Sequence, residues 1–293
     1  MSHYNVLYIL ILKSLEAIPY KGLFYIGKVL GLLLYILPNK HKRISKANLE
    51  LVFPQKTSLQ INSILRDSLF HSIMNILEAG LVWGKQDYKK KPGFINVKNF
   101  SEIETALSSD KGILLFTPHI GNIEIIINFL GQHTDCTIPY TQPKHKGLDK
   151  IITNSRNKSG VKMVDINVSG IKEMLAALKN KKLAAVASDQ VPKKGAGIIS
   201  KFFNNEIYSM TLLPKLQQRT GCVAHLMYCE RKEKGKGFVI HFDSKIDLSS
   251  NIQEGVDKMN NEFEKCIMKL PGQYSWEYKK YLYKNEQDIV INT

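Results

Sequence analysis

Between Phe94 and Ser188, short apolar runs alternate with helix-textured segments so regularly that few architectures suit the chain. Phe94–Val97, Gly112–Thr117, Thr137–Tyr140, Val161–Ile166 and Leu183–Ser188 have the length and apolar character of strands. Ser101–Ser108, Asn122–Gly131, Gly147–Lys158 and Gly170–Lys179 read as the helices between them. Such alternation predicts an α/β fold, a mixed sheet layered with helices, because each strand must bury its faces against the helix that follows. Farther on, the pattern predicts a helix over Tyr208–Arg219, a hairpin from Cys222–Glu230 and Gly237–Phe242, and a last helix over Ile252–Leu270. No internal repeat and no low-complexity tract interrupts the pattern.

The run Gly112–Pro118 delivers His119 into a turn, Gly121-Asn122, followed by Glu124. The carboxyl ends of strands in open α/β sheets are where ligands bind. A neutral imidazole there can take a proton from an attacking hydroxyl, and a carboxylate on its other nitrogen fixes the tautomer. His119 therefore reads as a catalytic base and Glu124 as its orienter. The spacing alone proves little, since His225-Leu-Met-Tyr-Cys-Glu230 repeats it. That second pair lies within one strand-like segment, where residues five apart point to opposite faces. Context thus favours the first pair. Asp189-Gln190, closing the apolar run Leu183–Ser188, is expected at the same sheet edge as His119, with a plain strand-end turn as the alternative.

The 293-residue chain carries 41 Lys and Arg against 26 Asp and Glu, a net charge of +15, which favours anionic partners. No helix-turn-helix, RRM, KH or zinc-finger pattern supports nucleic acid as that partner, and neither a Walker A nor a dinucleotide fingerprint appears. Cys136, Cys222, Cys229 and Cys266 form no CxxC and no His/Cys spacing suited to zinc, so no metal site is expected and they read as small buried hydrophobes.

Residues 4–37 are mostly apolar and aromatic, but Lys13, Glu16, Lys21 and Lys28 interrupt them, and Pro19 should kink the segment. The longest uncharged stretch, Val29–Asn39, is shorter than the roughly 20 residues of a spanning helix. Residues 1–38 are expected to form a membrane-anchoring or interfacial helical segment, with a core helix hairpin as the alternative. The cluster Lys40-His-Lys-Arg43 and Lys46 suits the cytoplasmic side of an anionic bilayer. Residues 39–293 would then be the catalytic domain, entered through a helical stretch from Asn48 to Trp83 and a polar loop over 85–93.

Several segments together resemble the bacterial lipid A secondary acyltransferases, the lauroyl- and myristoyltransferases of the wider lysophospholipid acyltransferase superfamily. They are Arg43 through Asn48-Leu49 to Phe53-Pro54, Thr117-Pro118-His119-x-Gly121-Asn122-x-Glu124, and Tyr140 and Pro143 leading to Arg156-Asn-Lys-Ser-Gly160. Ser188-Asp189-Gln190, Phe202-Phe203 and Pro271-x-Gln273-Tyr274-x-Trp276 complete the series. Asn204 stands where the family commonly has Gly, Gly272 where it has Glu, and Lys279-Lys280 where it has Arg.

The resemblance implies transfer of a fatty acyl group from acyl carrier protein to a hydroxyl of an anionic glycolipid, a lipid A precursor of the Kdo-lipid IVA type, at the inner membrane. No cofactor is implied. His119 would be the general base with Glu124 as partner, and Arg156 would lie near the sugar phosphates, which suits its two-pronged guanidinium. Asn122 would position the thioester carbonyl or serve only as a helix cap. Asp189 and Gln190 would belong to the site. Phe202, Phe203 and Trp276 would line an acyl pocket or form ordinary core. No Ser or Cys sits in a nucleophile context, so direct attack by the acceptor is favoured over an acyl-enzyme. Competing readings are an acyltransferase acting on another glycolipid or a lysophospholipid, and a non-catalytic basic protein binding membranes or nucleic acid.

Overall fold

The computed structural model describes residues 3–84 and 86–281. Lys85, expected in the polar loop, and residues 282–293 of the expected catalytic domain lie outside the described residues. Two helices, α1 (His3–Ala17) and α2 (Tyr20–Ile36), open the chain and are bent by 115° at the Pro19 break. No single helix among the described residues is long and apolar enough to cross a membrane. The helical stretch that follows is three helices, α3 (Lys40–Val52), α4 (Ser58–Leu77) and α5 (Ala79–Trp83). Pro54 and a capping box at Thr57, whose side chain is reciprocated by Gln60, divide what reads as continuous apolar periodicity.

The alternation appears as expected: β1 (Ile95–Lys98), α6 (Phe100–Leu107), β2 (Ile113–Thr117), α7 (Ile123–His133) and β3 (Cys136–Tyr140). It continues with α8 (Lys146–Ser159), β4 (Lys162–Asp165), α9 (Val168–Lys179) and β5 (Leu183–Ala187). Next come β6 (Gly197–Phe202), β7 (Asn205–Met210), α10 (Leu212–Thr220), β8 (Val223–Arg231), β9 (Phe238–Ile246) and α11 (Ile252–Lys269). Seven strands form one sheet in the order β1-β9-β8-β2-β5-β3-β4, parallel from β8 to β4, with β9 antiparallel to β8 and parallel to β1.

The hairpin β6–β7 corrects the expected helix start at Tyr208, which lies in β7. Phe202 pairs with Asn205, leaving Phe203 and Asn204 as a two-residue turn with φ of 49° and 59°. Two consecutive left-handed residues make the turn that matches strand twist, and asparagine reaches that region more readily than most residues.

Strand alternation splits the core between two faces of the sheet. Leu114, Phe116, Val186 and Leu226 meet α9, α10 and α11 on one side. Ile113, Leu115, Leu183 and Met227 meet α7 and the inner face of α2 on the other. Leu23 and Phe24 of α2 are buried there against Phe70 and Met74 of α4. Gly31 permits the close approach: a Cβ at that position would lie 2.7 Å from the Phe70 backbone. The outer face of α2 is different, exposing Tyr25, Ile26, Val29, Leu33 and Ile36.

Candidate active site

Strand register brings His119 to a carboxylate. Thr117 of β2 lies opposite Ala187 of the parallel neighbour β5, so His119 and Asp189, each two residues farther on, emerge side by side. Asp189 Oδ1 lies 2.5 Å from His119 Nδ1, and its Oδ2 accepts the His119 backbone N–H at 3.1 Å. The Tyr274 hydroxyl also donates to this carboxylate. Asp189 is shut away at 3% exposure while His119 keeps 29%, so the dyad shows only its imidazole to the outside. Burial is the largest influence on His119 and disfavours its cation, but the charge and hydrogen bond of Asp189 outweigh it and raise the imidazole above its ordinary pKa. Burial alone would raise Asp189. The His119 charge and hydrogen bond, the Lys280 charge and the backbone N–H instead hold it well below the usual carboxylate range.

Glu124 is not the carboxylate that orients the His119 ring, contrary to the expected pairing. It sits in the first turn of α7, where Arg156 of α8 takes it through Nη2 to Oε1 at 2.5 Å and Nε to Oε2 at 3.3 Å. The guanidinium also lies 4.9 Å from the centre of the Tyr140 ring, and Tyr140 donates to Asp149. Arg156 therefore arrives at the site with two N–H directions already committed. Asn122 is a helix cap: its Oδ1 accepts from Glu124 N at 2.9 Å, and its Nδ2 donates to Glu78 at 2.7 Å. Both ends of its amide are thereby used within the fold.

Gln190 places its amide nitrogen 3.3 Å from His119 Nε2, the ring nitrogen that Asp189 leaves free. From this point a cleft of about 340 Å³ runs between the ends of β2, β3 and β5. His119, Gln190 and Arg156 stand among its polar lining, and Ile123, Ile126, Leu130, Ile138 and Ile152 dominate its apolar wall. Phe202, Phe203 and Trp276 do not line it. Phe202 and Trp276 are buried in the core on the other face of the sheet, Phe203 packs against that core, and the Trp276 indole N–H donates to Pro271 O at 2.7 Å.

Two sets of residues that sequence reasoning left unassigned hold the His119 loop. Gly121, at φ 62°, receives no side chain because a Cβ there would meet Cys229 O at 2.0 Å. Its N–H donates to Gln273 O, and Ser275 N donates to His119 O, so the Pro271–Trp276 signature clasps the loop through backbone bonds. Behind it, Arg231 and Glu78 form a fully buried ion pair. Glu78 also accepts from Tyr20 of α2 and from Asn122, and Arg231 reaches His71 and Asn75 of α4. An acid between two apolar helical runs and an arginine ending an apolar strand were the available signals, since such groups are seldom buried without a partner.

The competing His225 behaves as strand geometry requires. It is buried on β8 with Nδ1 against Asp243 O at 3.0 Å, whereas Glu230 pairs with His241 at 2.8 Å. All four cysteines are free and buried. Among the described residues no group of three or more His, Cys, Asp or Glu side chains is placed to hold a metal ion.

The sequence profile of the family described as bacterial lipid A biosynthesis acyltransferase matches residues 2–283. The chain belongs to this family. It is similar to the lipid A biosynthesis lauroyltransferase of Escherichia coli (strain K12), with 24% identity over 272 residues, covering 90% of this chain and 86% of that protein. The lipid A biosynthesis palmitoleoyltransferase of the same strain is 21% identical over 266 residues, with the same coverage of 90% and 86%. A lipid A biosynthesis acyltransferase of Haemophilus influenzae is 25% identical over 281 residues, covering 92% and 87%. The acyltransferase thus has a His119–Asp189 pair, an apolar cleft beside it and an ion pair at the cleft wall, all at one edge of the sheet.

Proposed function

We propose that this acyltransferase moves a fatty acyl chain from its thioester on acyl carrier protein to a hydroxyl of an anionic glycolipid precursor of lipid A, of the Kdo-lipid IVA type. The observation that carries the reading is the His119–Asp189 pair opening onto an apolar cleft. Asp189 holds the Nδ1 proton, so Nε2 presents its lone pair where Gln190 now touches it. The acceptor hydroxyl displaces that contact, gives its proton to Nε2 and attacks the thioester carbonyl through oxygen. As the tetrahedral intermediate collapses, the C–S bond breaks. The imidazolium returns its proton to the departing sulfur, leaving an ester and a free thiol.

Isoleucine and leucine side chains along the cleft suit an alkyl chain, which gains about 0.8 kcal/mol per buried methylene. Arg156, held at the cleft wall by Glu124, retains Nη1 for an anionic group of the acceptor. The reaction belongs at the cytoplasmic face of the inner membrane on this reading. The exposed apolar face of α2 and the exposed Lys40, Arg43 and Lys46 support it. Purified enzyme supplied with acyl-loaded carrier protein and Kdo-lipid IVA should yield a product heavier by one acyl group, read by mass spectrometry. Transfer to lysophospholipid but not to the glycolipid would replace this reading with the related one.

A further inference from the structure

Lys280 is a buried ammonium with 5% exposure and, among the described residues, no hydrogen-bond partner for its Nζ. The nitrogen lies 3.6 Å from the centre of the Phe202 ring, a cation–π contact that offsets only part of the lost hydration. Two carboxylates face it, Asp189 at the end of β5 and Glu264 on α11. His119 is faced in turn by Asp189, by Lys280 and by Glu277 of the same C-terminal segment. Glu124, the next acid along the loop, is occupied by Arg156. Lys280 is thus a buried cation whose charge acts on both members of the His119–Asp189 pair.

We propose that Lys280 is a positioning residue, whose buried charge over the Phe202 ring keeps the pair as carboxylate and neutral imidazole, the form that can accept the acceptor's proton. The proposal rests on His119 being the base. An anionic Asp189 by itself draws a proton onto His119, because an opposite charge at hydrogen-bond distance favours the cation. A base already protonated cannot take the hydroxyl proton. Lys280 counters that pull by like-charge repulsion on the imidazolium, while its attraction keeps Asp189 ionised and accepting. Burial pushes the ammonium down to about 8, so it remains largely charged at neutral pH.

The test is the pH dependence of kcat/KM. In Lys280→Met the acid limb should move upward by about half a unit or more, the scale of one charge acting through an effective dielectric near 20. Activity at pH 7 should fall about threefold or more and recover as pH rises. Lys280→Arg keeps a permanent charge, so its limb should lie at or below that of the wild type. A Lys280→Met profile lowered equally at every pH, with an unmoved midpoint, would overturn the proposal. Should that variant fail to fold, an NMR titration of the His119 ring in wild type and Lys280→Arg decides, since an upward shift in the arginine variant is incompatible with the charge role. His119→Ala separates the two levels. Activity surviving in it defeats the base assignment and the proposal together, whereas its loss with an unmoved Lys280→Met limb defeats the proposal alone.

Discussion

Arg156 closes two guanidinium nitrogens on the Glu124 carboxylate, so the acid of the His119-to-Glu124 spacing serves an arginine and not the histidine. Removing either partner should then give related defects. Glu124→Ala and Arg156→Ala should be non-additive in a double-mutant cycle, the double variant being little worse than the poorer single one. Additive losses measured as kcat/KM would show that the two act separately.

Asp189→Asn should cost about a thousandfold in kcat, comparable to His119→Ala, because an amide stabilises neither the tautomer nor the imidazolium. The acceptor KM should change little. The pH dependence has a definite sign. His119 is raised above its ordinary value of about 6.5, so wild-type kcat/KM should fall as pH drops through a midpoint above that value. In the asparagine variant burial is left unopposed, and the midpoint of the residual activity should move below the wild-type one. A shift in the upward direction would remove Asp189 from this role.

How much of this was legible beforehand follows from the kind of signal each residue carries. The five strands from β1 to β5 were readable because their apolar runs are short and bounded, and Asp189 was placed at the right edge by the end of such a run. Its pairing with His119 was not readable, since 70 residues separate the two and only the β2–β5 register joins them. The hairpin β6–β7 was hidden because Phe203-Asn204 lacks the glycine that usually marks such a turn. Phe202, Phe203 and Trp276 stood open between acyl pocket and ordinary core, and they join the core; Ile123, Ile126 and Ile127, which do line the cleft, read only as part of a helix. That His225 and Glu230 do not pair was readable from strand geometry.

Arg231→Met should destabilise the fold by about 3–5 kcal/mol, because Glu78 would be left buried without its ion-pair partner. Combining it with Glu78→Gln should restore part of that loss. Denaturant unfolding in detergent measures both, and a double variant less stable than Arg231→Met would contradict the account.

Membrane attachment calls for point changes and not truncation. Deleting residues 1–37 would strip Leu23 and Phe24 from the core and Tyr20 from Glu78, so lost activity would report unfolding. Val29→Asp with Leu33→Asp alters the exposed face only. This variant should keep the wild-type unfolding midpoint and float poorly with vesicles of anionic phospholipid. Undiminished flotation would move the lipid contact elsewhere.

Gly121→Ala should lower kcat by about tenfold or more while leaving the apolar wall intact, since the new methyl group must push the loop from Cys229 O. Unchanged kcat would mean that the loop has slack that its backbone bonds do not suggest.

The clasp of the His119 loop by Gln273 and Ser275 also has a consequence in time. Domains are made from the N-terminus onward, and contacts distant in sequence form only when both partners exist. A growing chain that has emerged through Gln190 already carries His119, Asp189 and most of the apolar wall. It still lacks the residues that hold the loop in line, so the His119–Asp189 pair reaches its final geometry only once the C-terminal segment has been made.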